Sequence, residues 1–254
     1  MSFFLFGILL LSCTISKNDT EKPGKQDNPE ENVVMTMEDS IRRHVESQLS
    51  IQGTEEYGLE MYEAECTGDE SIDRVITVNL LDRALKEAIA SGDVAKRAEM
   101  GYMGLFNYII FQDGASGTLS KPIPIPSSPQ AALHVEFDHI VSNRYNDIMV
   151  DYRIRNSGFR AFFSVANGHT IQVFQAQQFD GLGTDNPIGF IFEYREGRGT
   201  LAKEILVYKA TFENPAFTDP DKVYSFTPER TSTGELERRW FFRPKEYKYF
   251  TDQN

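Results

Sequence analysis

Four histidines and several acidic or glycine-rich stretches are the residues with chemistry to offer. In His134-Val135-Glu136-Phe137-Asp138, a strand would place His134, Glu136 and Asp138 on one face, with His139 opposite. Side chains about 7 Å apart in one row are too spread for a compact metal shell without a ligand from elsewhere. The row therefore reads as a solvent-facing polar stripe, and His44 and His169 stand apart from it. Gly197-Arg198-Gly199-Thr200-Leu201-Ala202 matches the dinucleotide pattern G-x-G-x-x-A. That pattern works only where a helix follows inside a parallel βαβ unit. Here the neighbours are hairpin-linked strands, so a tight β-turn is expected. Asp180–Pro187 and Asp219-Pro220-Asp221 are acidic loops of a kind that can hold calcium. They lack EF-hand spacing and read as inter-strand loops. The sequence contains no H-E-x-x-H, G-x-S-x-G, P-loop or C-x-x-C. No catalytic residue, metal ligand or cofactor follows from it.

The densest concentration of reactive side-chain types is Arg238–Phe250, with five basic residues, one acid and six aromatics. Interleaved cations and rings can stack on bases or sugars and can bind anionic surfaces. In a strand, alternate rings would face the core while Arg and Lys guard an edge. If the protein has a partner-binding surface, its candidates are Arg238, Arg239, Trp240, Phe242, Arg243, Lys245 and Tyr247.

Phe3–Leu11 is nine positions without a polar side chain. That is too short to cross a bilayer, which takes about 20 residues, and it suits the apolar region of a secretory signal. Leu10-Leu11-Ser12-Cys13 follows, and then an abrupt polar switch from Thr14. These residues resemble a bacterial lipobox, although Met1-Ser2 lacks the basic residues usual ahead of such a signal. The resemblance implies cleavage before Cys13, lipidation of its thiol and acylation of the new amino terminus with palmitate-like chains. Several acyl chains at about 0.8 kcal/mol per buried methylene would anchor the chain firmly. Thr14 after the cysteine implies sorting to the outer membrane. Ordinary signal-peptidase cleavage, or a buried hydrophobic N-terminus, is the alternative. With Cys13 lipidated, Cys66 has no partner within the chain and reads as a small buried hydrophobe.

The elements that must position these residues fall into a series. Residues 1–12 form the signal and 13–35 an acidic flexible tether without core-forming residues. Residues 36–113 read as mainly helical. Thr36 and Asp39 suit a capped start, and Met37, Ile41, Val45 and Leu49 recur at helical spacing. A bulged strand is expected within 55–67, with 72–78 leading to Asn79. A helix from Asn79, a tight turn at Gly92 and a third, strongly apolar helix to Gln112 would form an αα-hairpin. Residues 114–130, with Lys121-Pro122-Ile123-Pro124-Ile125-Pro126, read as a Gly/Pro-rich linker. Residues 131–254 alternate with period two, with a hairpin signal at Asn167-Gly168. The expected fold class is α+β: N-terminal helices including the αα-hairpin, then an antiparallel β meander or sandwich. Three helices ahead of a curved sheet are loosely similar to the cone fold of the nuclear transport factor 2-like (NTF2-like) family.

The formal charge of −12 is unevenly placed. Residues 17–75 hold 16 acids against 6 bases, and the remaining body is close to neutral before its basic end. Nucleic acid is not an expected partner. The expected function is a membrane-anchored envelope lipoprotein: a non-enzymatic binding module or assembly subunit whose partner is an envelope protein or glycan. The alternatives are a pocket-containing NTF2-like enzyme or small-ligand binder, and an immunity or inhibitor-type protein.

Overall fold

Thr36 opens the first helix with a reciprocal cap. The computed structural model describes residues 35–93 and 105–251. Thr36 Oγ1 accepts from the Asp39 N–H at 3.1 Å, and Asp39 Oδ2 accepts from the Thr36 N–H at 3.1 Å and its hydroxyl at 2.7 Å. These bonds hold the Asp39 carboxyl below the usual carboxylate range. Helix α1 runs Met37–Leu49 and ends at Ser50 in the left-handed region. Ile41 and Val45 are fully buried, while Met37 at its start is exposed. Thr36→Ala is expected to cost about 1 kcal/mol, read as a lower urea midpoint with an unchanged slope.

Strands β1 (Gly58–Ala64), β2 (Asp73–Asn79), β3 (Asn107–Gln112) and β4 (Ile123–Pro124) form an antiparallel sheet in that order. Helix α2 (Leu81–Ala90) follows β2 directly, and Asn79 Oδ1 accepts from the Leu81 N–H at 3.1 Å. Its buried residues are Ala84 and Ala88, and the larger Leu85 and Ile89 are exposed.

Here the expected fold class is overturned. The protein is mostly β, with two α-helices and twelve strands among the described residues. The αα-hairpin does not form, because the apolar stretch expected to end its second arm is strand β3. The earlier part of that arm, 94–104, lies outside the described residues, as do the signal and the tether. The physical reason is two-sided burial. Ile109 and Phe111 on one face of β3 join Val75 in one core, while Ile110 on the other joins Ile76, Val78, Ile41 and Val45 in a second. A strand buried on both faces carries a continuous apolar run, which helical periodicity does not distinguish from a buried helix. The likeness to the cone fold falls with it, since helices alternate with strands here rather than preceding a single curved sheet. The proline run also carries structure: Ile123 pairs with Ile109, and Ile125 is buried in the first core.

Strands β5 (His134–Asp138), β6 (Asp147–Ile154), β7 (Ser157–Ala166), β8 (His169–Asp180), β9 (Ile188–Arg195), β10 (Glu204–Phe212), β11 (Arg230–Arg243) and β12 (Lys248–Thr251) form one antiparallel meander. Two-residue turns join β6 to β7 and β7 to β8. At Asn167-Gly168 both residues have positive φ, 51° and 73°, as a right-twisting hairpin requires. The β6–β7 turn is Arg155-Asn156. A 3₁₀ helix, Pro220–Tyr224, lies between β10 and β11.

The meander folds back on itself at β8–β9, which pair only through Phe179–Gly189 and Asp180–Ile188. Strands β6 and β7 consequently have both faces covered. Ile148, Val150, Tyr152, Ala161 and Phe163 pack against β2 and β3. Met149, Phe162 and Phe174 pack against Ile205, Val207, Phe242 and Tyr249 of β10–β12. The layers run α1, β1–β4, β5–β8, β9–β12. No helix among the described residues is long and apolar enough to cross a membrane.

Candidate functional site

Strand parity sorts the aromatic-basic run into two faces. Trp240 pairs with Thr251, Phe241 with Phe250, Phe242 with Tyr249 and Arg243 with Lys248. Trp240, Phe242 and Tyr249 turn inward, where Phe174 lies 5.0 Å from Trp240 and 5.6 Å from Tyr249 between ring centroids. Tyr247, in the turn, packs its ring 5.3 Å from Phe242 and sets its hydroxyl 3.1 Å from Ser164 Oγ. Burial pushes its phenol up to about 12. Of the seven partner candidates, Trp240, Phe242 and Tyr247 thus serve the core, while Arg238, Arg239, Arg243 and Lys245 are exposed.

The outward face carries Arg239, Phe241, Arg243 and, across the hairpin, Phe250. The Arg243 guanidinium carbon lies 4.3 Å from the Phe250 centroid and 5.5 Å from Phe241, a cation held over two rings. Arg238 sits 5.8 Å from the Trp240 ring. The closest approach of Arg239 to a carboxylate is 3.7 Å, to Glu204. Arg198, Arg238, Arg243, Lys245 and Lys248 make no ion pair with a described residue.

Sequence reasoning missed Phe241, Phe250, Arg198 and Glu204. Parity could have found the two phenylalanines only with the register known, because three consecutive rings offer no alternation. Arg198 belongs to the glycine-patterned segment, which is the loop between antiparallel β9 and β10 rather than the mouth of a helix. A Cβ on Gly197 would stand 2.1 Å from the Ala202 carbonyl oxygen, so the loop closes on itself only with glycine there. It walls one side of a cleft of about 370 Å³ whose other side is Arg239 and Phe241.

The remaining candidates are committed to the fold. Glu136 accepts from Arg160 at 2.7 Å, and Arg160 also forks onto Asp151 at 2.6 and 2.7 Å. His134 is exposed, 3.5 Å from Glu136. Asp138 pairs with Lys203 at 3.2 Å and accepts from the His139 N–H. His139 Nδ1 lies 2.8 Å from the Tyr145 carbonyl, and His44 Nε2 lies 3.1 Å from that of Ser120. His169 is exposed at the β7–β8 turn. In the Asp180–Pro187 loop, Asp180 Oδ1 accepts from the Ser157 hydroxyl and the Gly181 N–H, and Asn214 donates to the Thr184 carbonyl. Asp219 caps the 3₁₀ helix. Among the described residues no three His, Cys, Asp or Glu side chains gather as a metal shell would need. Cys66 is fully buried, and desolvation raises its thiol pKa well above normal, so it does not form a nucleophilic thiolate. No protein-family model matches the chain, and no curated protein or solved structure matches it either.

Proposed function

We propose that the chain is a lipid-anchored envelope protein, held at the outer membrane through Cys13, whose β body works as a non-enzymatic binding module. The observation that carries the binding reading is the outward row Arg239, Phe241, Arg243 and Phe250, where exposed cations flank half-buried rings on a hairpin. Arg243 makes no ion pair with a described residue and Arg239 only a long one with Glu204, which favours an anionic partner, and the rings supply contact area at low entropic cost. A pocket enzyme gains no such support, because the carboxylates of the β5 stripe are held by Arg160 and Lys203.

Two measurements test the proposal. Cys13→Ala should move the protein from the membrane fraction to the soluble one; a variant that still pellets as an integral component overturns the anchor. The soluble Cys13→Ala chain should be retained by isolated envelopes at low salt. Retention should fall severalfold when Arg243→Gln and Lys245→Gln are added, and again when salt is raised. Retention that ignores both changes overturns the binding surface.

A further inference from the structure

We infer that the cleft between the β9–β10 loop and β11 is a saccharide subsite that takes a carboxylate-bearing sugar unit. This rests on the reading of the β11–β12 face as a binding surface and names its ligand class. The cleft, about 370 Å³, lies at the small end of the ligand-site range and has room for one sugar ring. Arg198 and Arg239 stand on its two sides, and Phe241, Thr200, Glu204 and Gly197 are among the residues that line it between them.

The chemistry of this lining is selective. Arg198 makes no ion pair with a described residue. Arg239 pairs with Glu204 only through Nε at 3.7 Å, too long for a hydrogen bond, so its terminal amino groups keep their donors for a carboxylate. Phe241 lines the cleft as a half-buried ring, apolar surface against which the C–H face of a pyranose can pack. The Thr200 hydroxyl already donates to the Ala202 carbonyl at 3.1 Å, so toward the cleft its oxygen can only accept. Glu204, with its side chain only 15% exposed, is a second acceptor. A ligand that satisfies two cations and two acceptors carries one negative charge and several hydroxyl donors. A phosphomonoester dianion would meet the Glu204 carboxylate with no proton to offer it, and inorganic phosphate dianion would bring a second negative charge with only a single O–H donor. An acidic peptide side chain would bring the charge without the hydroxyls.

The surface continues the same pattern. Arg239, Phe241 and Arg243 follow one another on one face of β11 at about 7 Å intervals. An acidic oligosaccharide seated in the cleft would therefore extend toward Arg243 over Phe250, with Lys248 and Lys245 beyond.

The test is calorimetric titration of the full-length Cys13→Ala chain with oligogalacturonate, a neutral galactose oligomer of equal length, and inorganic phosphate. Oligogalacturonate should bind at least tenfold more tightly than the neutral oligomer, and phosphate should not compete. Arg198→Gln and Arg239→Gln should each weaken binding about tenfold. Phe241→Leu should weaken it severalfold, and Lys86→Gln on α2 should leave it unchanged. Thermal midpoints near that of the parent show that the variants fold. Binding lost in Arg243→Gln, Lys245→Gln but untouched by Arg198→Gln and Arg239→Gln overturns the cleft while leaving the face as the binding surface. Absence of oligogalacturonate binding, with envelope retention still sensitive to Arg243→Gln, overturns the sugar class alone. Equal competition by phosphate overturns it in favour of a phosphoryl group. Absence of both oligogalacturonate binding and envelope retention overturns the underlying reading itself.

Discussion

Phe162→Ala and Phe163→Ala should each destabilise the protein by about 3–5 kcal/mol, the range for emptying a buried phenylalanine site. Consecutive strand residues point to opposite faces, so in a sheet with one wet face one member of such a pair is nearly free to change. Here neither is. Phe162 is fully buried, with ring centroids 5.3 Å from Phe174, 6.3 Å from Phe192 and 6.1 Å from Tyr194. Phe163, 2% exposed, belongs to the core shared with β2 and β3. Urea unfolding of the two single variants checks this, each with its midpoint lowered and its slope retained. A loss under 1 kcal/mol for either one would mean that its face of β7 is uncovered, and the layered arrangement would fail on that side.

The same two-sided burial decides what could be read in the sequence. Where an element has one dry and one wet side, its pattern is legible. The Thr36 cap with Ile41 and Val45 specifies α1. The Asn167-Gly168 turn is legible because few residue pairs other than Asn-Gly accept two positive φ angles in succession. Where both sides are dry, the period disappears. Asn107–Gln112 puts Ile109 and Phe111 into one core and Ile110 into another, and its continuous apolar run then looks like a buried helix. Asp147 precedes Ile148 in an alternation that would set it on a polar face, yet it is fully buried. The candidate site follows this logic. The basic and aromatic composition picks out the segment that folds as the β11–β12 hairpin. Its division into core rings and outward rings depended on the Phe241–Phe250 register, and the cleft depended on a loop brought beside β11 only by folding.

Asp147 carries the second large effect. Its Oδ2 accepts from the Ile140 N–H at 2.9 Å and the Val141 N–H at 2.6 Å, both buried. Asp147→Ala strands those two donors and should cost about 2–4 kcal/mol in total, since each unsatisfied buried group costs about 1–3. Asp147→Asn keeps an acceptor and isolates the charge. Burial raises the Asp147 carboxyl pKa above its ordinary value, against downward pulls from Ser164, the Val141 and Ile140 N–H groups and nearby His139. Between the unfolded value, about 3.9, and the higher folded value, the folded chain holds the extra proton. Its stability is therefore greatest below the unfolded value, falls as pH rises through that window, and is flat above the folded value. The stability difference between Asp147→Asn and the parent should shift in favour of the variant across that window and stay constant above it. A difference independent of pH from 3 to 8 would show that Asp147 titrates normally.

The Asp147→Ala variant should also reach the candidate site. Ile140, held by Asp147, accepts from the Lys203 N–H at 2.7 Å, and the Tyr249 hydroxyl bonds the carbonyls of Lys203 at 2.8 Å and Ile140 at 3.3 Å. Lys203 immediately follows the Gly197–Ala202 loop, and Tyr249 belongs to β12, where it pairs with Phe242 of β11, so one chain of hydrogen bonds ties the buried carboxylate to the loop wall of the cleft and to the strand beside the other wall. Amide exchange at Lys203 and Ile140 should accelerate more than at Ile41 or Val45 in α1, beyond what the global loss of stability explains. Acceleration confined to Ile140 and Val141, with Lys203 unchanged, would sever that link and leave Asp147 as a local brace of the β5–β6 loop.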